Sequence, residues 1–152
     1  DKVVNLLNKY FDVMVKEILA QNGYVDKFMG DAVMAIFRGD YHLDRAIEAT
    51  LALQKQIAKL PVESKFISDS PKLSIGINSG EMISGNIGSA NLRRLDYTVI
   101  GDVVNTAQRL QSTAKHGQIL INEHSYNQVK ESFNCQKVGE VKLKNKCEPR
   151  TD

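Results

Sequence analysis

Residues 23–37 read GYVDKFMGDAVMAIF. Two short segments rich in β-branched, aromatic and aliphatic residues, 24–28 and 32–37, flank Met29-Gly30-Asp31. That is a hairpin signal. Gly30 supplies a turn conformation that most side chains resist, and Gly-Asp is ordinary turn chemistry. Asp31 therefore has two readings. It is a turn former, or it is a carboxylate ligand at a hairpin tip, since Mg²⁺ is usually held by one or two carboxylates together with substrate phosphates. Lys27 divides in the same way between a solvated strand lysine and a functional cation.

Upstream of the hairpin, Val3, Val4, Leu7, Tyr10, Phe11, Met14, Ile18 and Leu19 recur at helical spacing with charged residues between them. They predict a helix of about five turns with one apolar stripe, which Asn22-Gly23 ends. Downstream, residues 42–60 repeat the pattern through Leu43, Ala46, Ile47, Leu51, Leu53 and Ile57 until Pro61 stops it. The polar segment 61–71 reads as a surface loop. LSIGIN (73–78) and MISGNI (82–87) read as strands joined by Ser79-Gly80-Glu81, a second hairpin. Gly76 and Gly85 inside them imply a close backbone approach or a bulge.

Residues 88–95 read as a polar loop with Arg93 and Arg94, and 96–100 as extended. A third helix is expected over 102–114, with Asp102 as N-cap. On it Asn105 and Arg109 are four residues apart and so share a face. Strand (119–121), helix (123–130), strand (133–138) and an extended segment (141–144) follow, and the basic Lys142, Lys144 and Lys146 close the chain. This order mixes hairpins with crossovers. It predicts an α+β domain, one sheet covered by helices, over a doubly wound parallel sheet.

The 152 residues fit one domain spanning 1–152. Hydrophobic content of 42% and charged content of 25% are those of a soluble globular protein. A net charge of +2 gives no general affinity for nucleic acid or anionic membrane. The basic residues make no continuous stripe, so a nucleic-acid polymer is not an expected partner. No apolar run reaches the roughly 20 residues of a membrane span, and no signal sequence opens the chain. Cys135 and Cys147 show no paired metal or disulfide spacing, which favours a reducing, cytoplasmic setting. Asp1 enters a helical pattern at once, as expected of an excerpt from a larger protein, which could itself be membrane-anchored.

Three segments in order, VDKFMGDAVMAIF (25–37), IGINSGEMISGNIGS (75–89) and LDYTVIGDVVNTAQRL (95–110), resemble the class III nucleotidyl cyclase catalytic domain. The resemblance covers nearly the whole chain. It implies a ferredoxin-like βαββαβ core with additions, one mostly antiparallel sheet covered by helices. It also implies conversion of ATP or GTP to the 3′,5′-cyclic nucleotide and pyrophosphate, with two divalent metals, Mg²⁺ or Mn²⁺, per complete site.

Carried over by motif, Asp31 is the second metal aspartate. The first lies in a family segment that would precede Asp1, so this excerpt is expected to be inactive alone and less stable than a complete domain. Lys27 and Thr98 match the base-reading pair of adenylyl cyclases. The chemistry agrees, because adenine N1 accepts from a lysine and adenine N6 donates to a hydroxyl. Asn105 and Arg109 match the pair that orients the ribose and stabilises charge on the α-phosphate. Lys144 matches a lysine contacting the terminal phosphates, although the usual Lys-Gly-Lys here reads Lys144-Asn145-Lys146. Arg94 matches a frequent arginine of the preceding loop.

The resemblance further implies a head-to-tail homodimer, with each site built from two copies and regulatory domains elsewhere in the parent chain. An adenylyl cyclase domain is the leading expectation. A guanylyl cyclase is one alternative, and a non-catalytic nucleotide-binding or dimerisation module with the same fold is another.

Overall fold

The computed structural model describes residues 2–30, 32–60, 73–81, 83–89, 94–115, 117–138 and 144–149; for 2–4, 6, 83–89, 94–100 and 144–149 it describes the backbone alone. The first apolar stripe winds as α1 (Lys2–Ala20). Asn22, at φ 60°, ends it. The Gly23 N–H reaches the Ile18 carbonyl at 2.9 Å and the Asn22 N–H the Leu19 carbonyl at 3.0 Å, the paired bonds of a Schellman cap. Gly23 has a packing reason of its own, because a Cβ there would stand 2.5 Å from the Phe37 ring.

The hairpin forms as expected. β1 (Tyr24–Met29) pairs antiparallel with β2 (Ala32–Ile36), Met29 opposite Ala32, with Gly30 at φ 63° in the turn. The register shifts between Val25 and Lys27, so Asp26 occupies a bulge. α2 (His42–Ala58) then packs its buried Leu53 and Ile57 against Met14 and Ile18 of α1. Arg45 fastens these parts together: its guanidinium donates to the carbonyls of Gln21 (2.8 Å), Asp40 (3.0 Å) and Arg38.

The remaining strands are β3 (Ile75–Ile77), β4 (Ile83–Ser89), β5 (Arg94–Ile100), β6 (Ile119–Asn122), β7 (Phe133–Lys137) and β8 (Lys144–Pro149). The remaining helices are α3 (Asp102–Thr113) and α4 (Glu123–Val129). The α+β class holds. Among the described residues, β3-β6-β8-β7 form one sheet, while β1-β2 and β4-β5 are separate antiparallel pairs. The expected hairpin between 73–78 and 82–87 does not form. β3 pairs in parallel with β6, Gly76 opposite Leu120, and β4 pairs with β5.

The reason lies in packing. Ile77, Ile119 and Ile121 join Leu43, Ala46, Ile47, Val129 and Phe133 in one apolar core under α2 and α4. Gly76, on the alternate face of β3, lets α3 approach on the other side. Gln54 of α2 holds the entrance to β3 by donating to the Leu73 carbonyl (2.6 Å) and accepting from its N–H (3.0 Å).

Two further expectations need correction. The N-cap of α3 is Gly101, at φ 139°, and Asp102 is the first helical residue, where its charge favours the helix dipole without a capping bond. Cys135 is disulfide-bonded, and the chain's other cysteine, Cys147, lies directly opposite it in the β7–β8 register. Twelve residues of separation hid that juxtaposition, and with the bond present the cysteines no longer argue for a reducing compartment. The expected loop at 61–71, the extended residues 141–143, and Arg93 and Lys142 lie outside the described residues.

Candidate functional site

A cleft of about 1080 Å³ opens between the hairpin and α2 on one side and β3 and α3 on the other. Its walls are largely the apolar side chains of β2 and α2. The polar groups that line it come from several parts of the chain and include Lys27 of β1, Arg38 after β2, His42 of α2, Asn78 and Ser79 after β3, and Asn105 and Gln108 of α3. Apolar walls with a few convergent polar groups are the ordinary character of a ligand site.

Lys27 is exposed and lies 3.7 Å from Asp26, whose side chain is fully covered. An ion pair at that distance with one member open to solvent binds loosely, so the ammonium remains able to turn to a ligand. The bulge at Asp26 sets which way Lys27 leaves the strand. Helical spacing presents Asn105 and Arg109 on one face of α3, and both are exposed. Arg109 Nη2 donates to Thr106 Oγ1 at 3.0 Å, a contact within its own helix. Asn105 is part of the cleft lining together with Lys27, and Arg109 is not.

Of the other candidates, Arg94 and Thr98 lie on β5, opposite Ser89 and Gly85 of β4, and Lys144 opens β8 opposite Asn122. Their backbone positions are described and their side chains are not. Asp31 lies outside the described residues. Among the described residues no group of three His, Cys, Asp or Glu side chains comes together as a metal site. The expected ligand of the divalent ions, Asp31, is outside that set.

The reading of motifs missed a hydrogen-bonded set at one end of the cleft. His42 Nε2 lies 2.5 Å from Ser79 Oγ, and its Nδ1 lies 3.2 Å from the Gly39 carbonyl. Asn78 donates to the Val103 carbonyl at 3.2 Å and accepts from Asn122 at 2.8 Å. These residues are far apart in sequence, and no local pattern announces their meeting.

A family model described as the adenylate and guanylate cyclase catalytic domain matches residues 1–151. The chain belongs to that family. An uncharacterized protein of Mycobacterium tuberculosis is 38% identical to this cyclase domain over 115 residues, which are 74% of this chain and 20% of that protein. The domain thus spans about a fifth of the length of the curated relatives it matches. Among solved structures, the adenylyl cyclase CyaB from P. aeruginosa superposes with a TM-score of 0.82 at 30% identity, covering 99% of this chain and 85% of that one. The guanylate cyclase domain of RhGC from Catenaria anguillulae, in complex with GTP, superposes with a TM-score of 0.82 at 26% identity, covering 98% and 85%. Both nucleobase classes therefore occur among the cyclase domain's structural neighbours. No helix among the described residues is long and apolar enough to cross a membrane.

Proposed function

We propose that this domain is the catalytic unit of an adenylyl cyclase, converting ATP to 3′,5′-cyclic AMP and pyrophosphate at the interface of two copies. The observation that carries the reading is the exposed Lys27 ammonium on the same cleft lining as Asn105. A lysine can donate to adenine N1 and has nothing to accept from the N1–H of guanine. Thr98, the partner assigned by the motif, supplies the hydroxyl that accepts from adenine N6.

In the reaction the ribose 3′ oxygen bonds to the α-phosphorus and loses its proton, while the bond from that phosphorus to the bridging oxygen of pyrophosphate breaks. Asn105 orients the ribose, and Arg109 receives the charge that grows on the α-phosphate oxygens. Preorganised donors of this kind contribute on the order of 10²–10³ in rate. Lys144 is the cation assigned to the terminal phosphates, and Arg94 is a further substrate-binding candidate. Two divalent ions, Mg²⁺ or Mn²⁺, would neutralise charge on the phosphates when bound, and Asp31 is the ligand this chain would offer them. Head-to-tail pairing of two copies would complete each site, and domains elsewhere in the parent chain would regulate it through the pairing geometry.

The competing reading is a guanylyl cyclase, favoured by the equal structural likeness to the GTP-bound domain from Catenaria anguillulae. Turnover of ATP and GTP with Mn²⁺ by the full-length protein separates the two. A kcat/KM higher for ATP supports the adenylyl reading, and a preference for GTP overturns the assignment of Lys27 and Thr98.

A further inference from the structure

We propose that His42 is a positioning residue for the first turn of α3, acting through Ser79. The ring geometry fixes the tautomer of the neutral imidazole. Nδ1 faces the Gly39 carbonyl at 3.2 Å, and a carbonyl oxygen only accepts, so Nδ1 carries the proton. In the neutral ring Nε2 is then an acceptor. The partner 2.5 Å away is the buried Ser79 hydroxyl, which must donate to it. Both ring nitrogens are used in one tautomer, and the imidazole clamps the loop before α2 to the end of β3.

Ser79 stands between two residues that touch α3. Asn78 donates to the Val103 carbonyl at 3.2 Å, with its own oxygen held by Asn122 at 2.8 Å. Gly80 abuts Val103 so closely that a Cβ would stand 2.7 Å from the valine methyl. The segment 78–80 is therefore fastened to α2 at its middle and to α3 on either side. Val103 lies in the turn whose Val104 and Asn105 amides bond to the Gly101 carbonyl at 3.1 and 3.2 Å. Moving Ser79 moves that turn, and Asn105 with it. This role rests on the cyclase reading only for its kinetic consequence, since the clamp itself is a statement about α3.

The test uses His42→Ala, His42→Gln and Ser79→Ala in the full-length protein, with amide hydrogen exchange and nucleotide turnover as separate readouts. Glutamine can still accept from Ser79, and Ser79→Ala removes a hydroxyl alone, so a folding failure of His42→Ala leaves the question decidable. In both alanine variants we expect protection of the Val104 and Asn105 amides to fall about tenfold while that of the β1–β2 hairpin holds. One lost hydrogen bond of about 1.4 kcal/mol has this effect.

The kcat should fall about tenfold or more with KM little changed, as expected when a reacting group is displaced without loss of binding. The double variant should be no worse than the worse single variant, and His42→Gln should recover most of both readouts. Unchanged exchange at α3, or single effects that multiply in the double variant, would overturn the proposal. A wild-type protein that turns over no nucleotide would count against the cyclase reading, and the exchange data would still decide the clamp.

Discussion

Gly76 of β3 lies flat against Leu110 of α3, so close that a Cβ on Gly76 would stand 2.9 Å from the leucine Cβ and run into the Ala107 carbonyl and the Gln111 nitrogen. The obstacles are mainly helix backbone, which cannot yield as a side-chain tip can. Replacement by alanine must push α3 off the sheet, and α3 carries Asn105 and Arg109. Gly76→Ala is expected to cost about 1–3 kcal/mol, the usual range for forcing a methyl into a packed site. It should also lower cyclase turnover. Urea unfolding checks the first expectation, and an undiminished midpoint would show that α3 has room to shift.

Arg45 offers a different kind of test, because its contribution is polar. The guanidinium serves carbonyls from the end of α1 and from the loop before α2, including Gln21, Asp40 and Arg38. Arg45→Ala is expected to destabilise by about 1–3 kcal/mol, the range for charged hydrogen bonds that are partly shielded from water. Arg45→Lys should recover little of this, since an ammonium cannot span the same set of acceptors. Thermal denaturation of the two variants makes the comparison, and full recovery by lysine would point to charge alone.

Tyr10 should respond in the opposite direction. Its hydroxyl is buried with no hydrogen-bond partner among the described residues, and burial raises its pKa above the ordinary 10.0. Tyr10→Phe removes a desolvated polar group at little cost in shape and is expected to stabilise by about 1 kcal/mol. The pH dependence has a definite sign. With the folded value above the unfolded one, the tyrosine's contribution is fully present below pH 10.0 and is lost as pH rises through the raised folded value. Above pH 10 wild type should therefore lose stability faster than Tyr10→Phe, and parallel urea midpoints across that range would refute the assignment.

These residues also show what the sequence can disclose. The helical stripe from Tyr10 to Ile18 and the turn at Gly30 are local patterns, and both elements formed where periodicity and turn chemistry put them. The segment 73–78 was recognisable as a strand, but its partner was not. Pairing with 119–121 depends on where α2 and α3 pack, which no spacing within 73–87 encodes. His42 and Ser79, Arg45 and Gln21, and Cys135 and Cys147 are likewise products of tertiary structure. Lys27, Asn105 and Arg109 stood out because motif resemblance carries information from related chains. Only the first two of them line the described cleft.

The dimer proposed for the cyclase makes a prediction that one chain's geometry cannot. Lys27 and Asp31 are four residues apart in sequence, yet the head-to-tail arrangement assigns them to opposite sites. Lys27→Ala and Asp31→Ala should each abolish or sharply reduce activity when pure. Co-expressed and reassorted, they should recover about a quarter of wild-type turnover, because half of the statistically mixed dimers carry one intact site of two. Absence of recovery, with mixed dimers verified by native mass spectrometry, would place both residues in one site.

Base recognition supplies the most specific expectation. Lys27→Glu replaces a donor by an acceptor at the position proposed to meet N1 of the base. Lys27 is exposed on β1, so the exchange should leave the fold intact. An acceptor there suits the N1–H of guanine and leaves adenine N1 facing a carboxylate with no proton between them. Sites that read a base by hydrogen bonding discriminate steeply when a buried polar group loses its partner. The ratio of kcat/KM for ATP to that for GTP is therefore expected to fall by about a hundredfold or more, with the larger part of the change in the loss of ATP turnover. If the ratio stays the same while both activities fall together, Lys27 contacts the phosphates or the dimer partner, and the nucleobase is read elsewhere in the cleft.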